Sequence, residues 1–413
     1  MDRPQPKPFP LAPVAASILA ERETERRNHL RQLGYFKTAC SEIDDYVLLG
    51  GLERGHVVGL SAEEESFGVA VLSRALLEPR QQRALVITPK PAGVILRSLR
   101  DGVAAELAHE GVAPGDVEPR VRASLDCVML SCVFDMDGLW EVLAELDRRG
   151  RASPPPPGGC VPPSPASEIQ DSEEEDEGPS PPSPPADAPP SVILVTHFSS
   201  LLTSLFARRE RPAAHANLSL LASRLRHLSR SLPSNPLVLI LNSTTSSTDP
   251  HGPEPGRHPS AAAGSGRPLD PSLRSIFNPP PLPIPGYVPT SSRRNKPSFG
   301  LVFTQLLDLH LLASRIPRTA EDAEVALGSA VLEARFVTVV EVLLDEMGLW
   351  TGRMGKRPNR EQRWAAVQVD GGRVVDAFGK REMPAVTEIP LCAGAQLLAQ
   401  QEAGRKNENK PPK

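Results

Sequence analysis

The chain has 413 residues and a formal net charge of −4, so no overall positive charge points to nucleic acid, and any basic patch must be local. Proline accounts for 46 residues, about twice its usual share, whereas aromatic residues make up 4%. The five cysteines are spread from Cys40 to Cys392, which excludes a disulfide-rich scaffold, and the apolar runs are too short to cross a membrane. The first thirteen residues hold five prolines and no apolar run, which predicts no secretory signal, and a soluble intracellular protein is therefore expected.

Two proline-rich segments interrupt the chain. Residues 151–190 hold fourteen prolines and the acidic run 173–177, and residues 245–297 hold thirteen more prolines. Such segments bury too little apolar surface to offset the entropy of the chain, so both are predicted to be disordered inserts. We expect a proline-rich tail and a helix in residues 1–35, one core domain in residues 36–400 and a disordered tail in residues 401–413.

Apolar periodicity predicts strands that alternate with helices through the core. In chain order the prediction is a helix at 15–33, a strand at 56–60, a helix at 69–78, a strand at 83–88, a helix at 92–110, a strand at 125–131, a helix at 137–149, a strand at 192–196, helices at 199–207 and 217–232, a strand at 237–242, apolar segments at 301–314 and 335–344, and strands at 364–369 and 373–378. Asp370-Gly371-Gly372 predicts a hairpin between the last two strands. The expected fold is α/β, with a mainly parallel twisted sheet, helices on both faces and the hairpin at one edge.

The first predicted strand, with the loop and helix that follow it, has the order in which nucleotide-binding proteins place a phosphate loop. Such a loop needs glycines that let backbone N–H groups approach phosphate, a lysine for the phosphates and a hydroxyl for Mg²⁺. Residues 61–69 read Ser-Ala-Glu-Glu-Glu-Ser-Phe-Gly-Val. The loop has no lysine, and the carboxylates of Glu63–Glu65 would repel a triphosphate. The sequence of this loop therefore predicts that the protein does not bind ATP and uses no cofactor.

Three segments carry a resemblance to a known family. Thr38–Tyr46 (Thr-Ala-Cys-Ser-Glu-Ile-Asp-Asp-Tyr), Gly50–Leu60 (Gly-Gly-Leu-Glu-Arg-Gly-His-Val-Val-Gly-Leu) and Lys296–Arg315 resemble segments of the RecA-type eukaryotic recombinases and their paralogues, the Rad-like recombination and repair family. The strand at 192–196 is similar to the Walker B strand, and the strand at 237–242 to one that ends in an Asn-Gln pair. The resemblance implies a RecA-like core with the P-loop NTPase fold.

The chain departs from the family pattern at the nucleotide site. By position, Ala62 and Phe67 replace the Walker A glycines, Gly68 replaces the lysine and Val69 the hydroxyl residue. Thr196 replaces the Walker B aspartate. In addition, Pro89-Lys90 stands where the family has a glutamate that polarises water, and Ser243 replaces the glutamine of the Asn-Gln pair. Together these changes imply a pseudo-ATPase with no catalytic residue and no metal site.

The resemblance also indicates candidate interaction residues. The two DNA-facing loops of recombinases correspond here to a loop with Arg208, Arg209 and Arg211 and to the end of the second insert, with Arg293, Arg294 and Lys296. The alternative is a solvated basic face, because both loops lack aromatic residues that stack on bases. Phe9 and Ala12 match a Phe-x-x-Ala tether through which recombinases bind a neighbouring subunit; the alternative is a loose proline-rich tail.

Other candidates carry weaker signals. Cys127 and Cys132 are interpreted as core thiols rather than zinc ligands, and His197 as a packed or loop histidine rather than a base. Ser172, which precedes three glutamates, is a candidate phosphorylation site, and Pro279–Pro285 is a candidate ligand for proline-binding modules or a stiff linker.

The resemblance implies a nuclear, non-hydrolysing accessory subunit of homologous recombination and DNA double-strand break repair. Its expected partners are other RecA-fold recombinase or paralogue subunits and single-stranded DNA, with no membrane association. One alternative is a RecA-fold scaffold outside recombination, similar to the accessory subunits of the tRNA-modifying Elongator assembly. A divergent DNA-dependent ATPase is a further alternative.

Overall fold

A single large sheet organises the described part of the chain. The computed structural model describes residues 14–78, 83–151, 188–245, 275–277, 296–327, 334–347 and 363–378, and the elements below belong to the unit Met1–Ala377. The strands are β1 (Val57–Ala62), β2 (Ala84–Thr88), β3 (Val128–Cys132), β4 (Val192–Val195), β5 (Leu237–Thr245), β6 (Lys296–Pro297), β7 (Leu309–Pro317), β8 (Phe336–Asp345), β9 (Trp364–Asp370) and β10 (Arg373–Asp376). The helices are α1 (Ala16–Leu33), α2 (Ser66–Leu76), α3 (Ala92–His109), α4 (Pro114–Asp126), α5 (Met136–Arg151), α6 (Phe198–Arg208), α7 (Arg211–Ser231), α8 (Gly300–Thr304) and α9 (Ala320–Leu327).

The strand order confirms an α/β fold with a mostly parallel sheet. The order is β10-β9-β8-β7-β1-β5-β4-β2-β3, and β6 pairs with β5 outside this path. The strands from β7 to β3 run parallel to one another, whereas β7–β8, β8–β9 and β9–β10 are antiparallel pairs. The predicted hairpin is confirmed: β9 and β10 flank Asp370-Gly371-Gly372, both glycines have positive φ, and β10 lies at the sheet edge.

Each central strand is buried on both faces, as expected for parallel strands that carry crossover helices. Along β5, Leu237, Leu239 and Leu241 pack on one face, here called the first face, against α2, α3 and α4. The intervening Val238 and Ile240 pack on the second face, against α5 to α8. This alternation explains why the strands read as continuous apolar runs in the sequence. Among the helices described, none combines the length and apolar character that crossing a bilayer requires.

The structure also differs from the sequence prediction in several elements. Helix α4 fills most of the gap before β3, where the sequence predicted no helix; Pro114 begins the helix, a position that proline tolerates. The apolar segment 301–314 divides into α8 and β7. Within residues 245–297, predicted to lack structure, Ser275–Phe277 forms hydrogen bonds with the sheet, and Lys296–Pro297 pairs with Thr244–Thr245. These residues are therefore exceptions to the disorder predicted for residues 245–297.

The segment that precedes β1 is held by polar contacts. The backbone N–H and the hydroxyl of Thr38 donate hydrogen bonds to Asp44 Oδ1, at 3.0 and 3.1 Å, and Asp44 lies in a short π-helix (Glu42–Val47). Phe36 and Leu52 form a β-bridge beside Gly51. Gly51 has φ +120°, and a Cβ there would lie 2.7 Å from the Phe36 carbonyl oxygen, so only glycine fits. These contacts fix the chain that leads into the central strand.

Candidate functional site

The candidate site lies at the carboxyl ends of β1 and β4, with β5 between them. Strand β1 continues into α2 on the first face, whereas β4 continues into α6 on the second face. The two loops therefore leave the sheet toward opposite faces, and the sheet end between them is here called the crevice. Crevices of this kind, where connections change face, are the usual ligand sites of open α/β sheets. The crevice is defined here by Glu65, Thr88, Thr196 and His197.

A glutamate–histidine pair closes this crevice. Glu65 Oε2 lies 2.8 Å from His197 Nδ1, and Glu65 Oε1 accepts a 2.7 Å hydrogen bond from the His197 backbone N–H. His197 has φ 52° and ψ 36°, a left-handed conformation that costs a non-glycine residue about 1 kcal/mol. Glu65 contacts both the ring and the backbone of this residue, and it thereby stabilises the turn from β4 into α6.

Burial acts on both members of the pair. Burial raises the pKa of Glu65 to about 7, although the hydrogen bond from the His197 backbone and the positive charge of Lys90 oppose the rise. Burial, followed by the charge of Lys90, lowers the pKa of His197. Both shifts favour the uncharged forms. Glu65 is therefore mostly protonated below pH 7 and ionises as the pH rises through 7.

Two threonines lie at the ends of neighbouring strands. Thr88 is the last residue of β2, and Thr196 follows β4, the strand that is similar to the Walker B strand. The hydroxyls of Thr196 and Thr88 are 2.8 Å apart, and the Lys90 backbone N–H donates to Thr88 Oγ1 at 3.1 Å. Both threonines are completely buried. The position where the family pattern has the Walker B aspartate is therefore filled by a neutral hydroxyl that is buried and bonded to Thr88.

The four residues predicted to be degenerate Walker A positions are buried in the hydrophobic core. Ala62, Phe67, Gly68 and Val69 are all buried. A Cβ added at Gly68 would lie 2.3 Å from Leu241 Cδ2. No side chain, and least of all a lysine, fits at Gly68 while Leu241 keeps its place on β5.

A cleft of about 250 Å³ adjoins the start of α2. It is lined by Glu63, Glu64 and Ser66 on one side and by residues of β7, β8 and β9 on the other. Arg315, which lies 4.8 Å above the Phe336 ring, is its basic member. Two exposed carboxylates at the N-terminus of a helix repel an anionic ligand from the place where the helix dipole would otherwise attract it.

A second polar network joins β1, β5 and β7, and the sequence analysis missed it. Ser61 Oγ lies 2.9 Å from His310 Nε2, and Asn242 Nδ2 donates to Ser61 Oγ at 3.2 Å and to the Ser298 carbonyl oxygen at 2.9 Å. Asn242 Oδ1 is buried without a hydrogen-bond partner within the part of the chain that the structure describes. Single polar residues within the apolar strands, namely Ser61, Asn242 and His310, were the available signal, but their pairing required the strand order.

The predicted DNA-facing arginines are exposed and partly ion-paired. Arg208 contacts Asp135 at 3.0 Å and Arg209 contacts Asp137 at 2.8 Å, beside the loop that follows β3. Arg211 begins α7, and Lys296 lies in β6 against the end of β5. The remaining predicted interaction residues, Arg293, Arg294, Phe9 and Ala12, lie outside the described residues, as do Ser172 and Pro279–Pro285.

The cysteine prediction is correct for one residue and wrong for the other. Cys127 is buried, whereas Cys132 is exposed at the end of β3, because this strand lies at the sheet edge. Within the described ranges, no group of three or more histidine, cysteine, aspartate or glutamate residues is placed to hold a metal ion.

Comparison with known proteins leaves the family open. No protein-family model matches the chain, and no curated protein sequence shows significant similarity to it.

Proposed function

We propose that this chain is a non-hydrolysing RecA-like subunit, a pseudo-ATPase that accompanies recombinases in homologous recombination and DNA double-strand break repair. The observation that carries the proposal is the contact between Glu65 and His197. It joins the loops that follow β1 and β4, the two loops that would hold phosphate and Mg²⁺ in a working nucleotide site. The chain keeps the sheet and replaces nucleotide chemistry with an internal contact.

The arrangement around β1 supports the RecA-like part of the proposal. The strand lies in the middle of the sheet, and a helix follows it on the first face, which is the order that a phosphate loop requires. The segment that leads into β1 carries the Thr38–Asp44 contact and the Gly50-Gly51 turn, both in the motif that resembles recombinases. A family resemblance alone does not assign a function, so the proposal depends on the partners that the chain binds.

The test of the proposal is association in cells. The full-length tagged chain is purified from nuclei before and after induced DNA breaks, and its partners are identified by mass spectrometry. We expect RecA-fold recombinase subunits, and we expect Phe9→Ala to weaken their recovery, since removing a buried aromatic anchor costs about 2–4 kcal/mol. Phe134→Ala, which removes an aromatic ring that is 75% exposed, is the matched control and leaves recovery unchanged.

Two results would contradict the proposal. Recovery of a ring of RecA-like subunits with a radical-chemistry enzyme would favour the Elongator-type alternative. ATP hydrolysis that a change at Glu65 abolishes would favour the divergent ATPase. A melting temperature unaffected by ATP and Mg²⁺ is the expected result for the purified chain.

A further inference from the structure

A three-residue segment lies on the second face of the sheet, away from the crevice. Glu341 in β8 is in register with Trp364 in β9, and their neighbours Val340 and Ala365 pack in the core of the first face. Because side chains alternate along a strand, Glu341 and Trp364 lie side by side on the second face. Residues Ser275–Phe277 contact both of them.

The contacts use both oxygens of the Glu341 carboxylate. Ser275 Oγ donates to Oε2 at 2.7 Å, and the Ile276 backbone N–H donates to Oε1 at 3.2 Å. The Phe277 backbone N–H in turn donates to Ser275 Oγ at 3.2 Å, which fixes the turn of the segment. The Phe277 ring stands edge-on to Trp364, with centroids 5.0 Å apart and an interplanar angle of 84°. This is a favourable geometry for an aromatic pair.

The chemistry of this site is that of peptide recognition. Glu341 is 1% exposed, and a buried carboxylate requires hydrogen-bond donors, which the segment supplies through one hydroxyl and one backbone N–H. Trp364 supplies an apolar surface and remains 46% exposed beside the segment. The Glu341 carboxylate accepts hydrogen bonds from a hydroxyl and a backbone N–H of the bound segment, and Trp364 packs against an aromatic ring of that segment.

We propose that Glu341 and Trp364 form a docking site for peptides in which one residue separates a hydroxyl residue from an aromatic residue. In the isolated chain the site is occupied by the protein's own Ser275-Ile276-Phe277. A partner protein with a segment of the same type binds by displacing it. Phosphorylation of Ser275, or of the equivalent hydroxyl of the partner, prevents docking, because a dianionic phosphate would meet the Glu341 carboxylate. This inference does not depend on the proposed role in recombination.

The first experiment measures binding of a peptide in trans. The receptor is the full chain with Ser275→Ala and Phe277→Ala, which weakens the internal segment, and the probe is a fluorescent peptide of residues 271–279. We expect saturable binding by anisotropy, and affinity lower by about tenfold or more for a peptide with Phe277→Ala. Adding Trp364→Ala to the receptor lowers affinity to a similar extent, whereas adding Phe134→Ala, an exposed aromatic elsewhere, does not.

The second experiment isolates the carboxylate. A peptide phosphorylated at Ser275 binds the receptor at least about tenfold more weakly than the unmodified peptide, and Glu341→Gln in the receptor reduces this penalty, since the like charge is gone. Unfolding in urea checks that each variant is folded. Absence of saturable binding, equal effects of Trp364→Ala and Phe134→Ala, or a phosphate penalty unchanged by Glu341→Gln would overturn the proposal.

Discussion

The raised pKa of Glu65 makes the stability of the folded protein depend on pH. The Glu65 carboxylate contacts the ring and the backbone of His197, and burial holds its pKa near 7, above the ordinary value of 4.5. The native state therefore keeps a proton on Glu65 between pH 4.5 and 7, where the unfolded chain releases it. The stability that Glu65 contributes is fully present below pH 4.5 and is lost as the pH rises through 7.

Replacing Glu65 by glutamine is expected to remove this dependence. Glutamine is neutral at every pH, so the stability of Glu65→Gln relative to wild type should increase by about 2 kcal/mol between pH 5 and pH 8. His197, whose pKa is lowered, changes stability in the opposite sense below pH 6.5, but it is present in both proteins. Urea unfolding at the two pH values measures the difference. Glu64→Gln, an exposed neighbour, is the control; a constant difference for Glu65→Gln would contradict the prediction.

Gly68 offers a second test at a single residue. Alanine there would place its Cβ 2.3 Å from Leu241 Cδ2, and overpacking of this kind costs about 1–3 kcal/mol. Gly93, which lies in α3 with no atom within 4 Å of an added Cβ, is the matched control. Gly93→Ala should be neutral or slightly stabilising, because alanine favours helix over glycine. Equal effects on the unfolding free energy would show that Gly68 is not tightly packed.

Sequence reasoning identified the loop of the site but not its partner. The charge of Glu63–Glu65 was enough to predict that the loop is unsuited to phosphate. The contact between Glu65 and His197 joins residues 132 positions apart, so it depends on the strand order, which the residues alone do not determine. His197 was interpreted as a packed or loop histidine, and its role in closing the crevice became evident only when β4 was placed two strands from β1.

At the scale of elements, the predictable features are those with a strong local signal. Strands β1, β2, β4 and β5 were found because burial on both faces makes them continuous apolar runs. Helix α4 was missed, since it has one fully buried side chain, Val121, and an internal proline. The start of α8 follows Phe299, whose backbone is left-handed. Such a conformation has no clear signature in a non-glycine residue.

The first proline-rich insert gives a prediction at this scale. Replacing residues 155–185, between α5 and β4, by a short glycine-serine linker should leave the melting temperature within about 3 °C, because loop-closure entropy changes slowly with length. Differential scanning fluorimetry makes the measurement. Leu143→Ala in α5, which removes a completely buried side chain, should in contrast cost about 2–5 kcal/mol. Loss of cooperative unfolding in the linker variant would show that the insert packs on the sheet.

At the scale of the whole molecule, the charge of −4 opposes binding to nucleic acid, so any contact with DNA must be local. Arg208 and Arg209 lie beside the end of β3, and Lys296 lies beside the end of β5. These basic residues therefore share the carboxyl side of the sheet, where parallel strands direct their loops. The ion pairs of the two arginines with Asp135 and Asp137 are exposed, and such pairs contribute little to stability. Phosphate oxygens can replace the two carboxylates at little cost.

Changing Arg208, Arg209 and Arg211 to alanine together tests this surface. If the three arginines contact phosphates, the complex of the chain with its partners should bind single-stranded DNA more weakly after the change. The slope of log affinity against log salt should then fall by about 2, since each phosphate contact on a single strand contributes about 0.7. The matched control replaces Arg100, Arg120 and Arg122, three exposed arginines of α3 and α4 on the first face, and so removes the same charge. Anisotropy at two salt concentrations compares the two triple variants with wild type. An equal slope for both variants would show that the loss of net charge explains any weakening, and the loop before α7 would then have no direct contact with DNA.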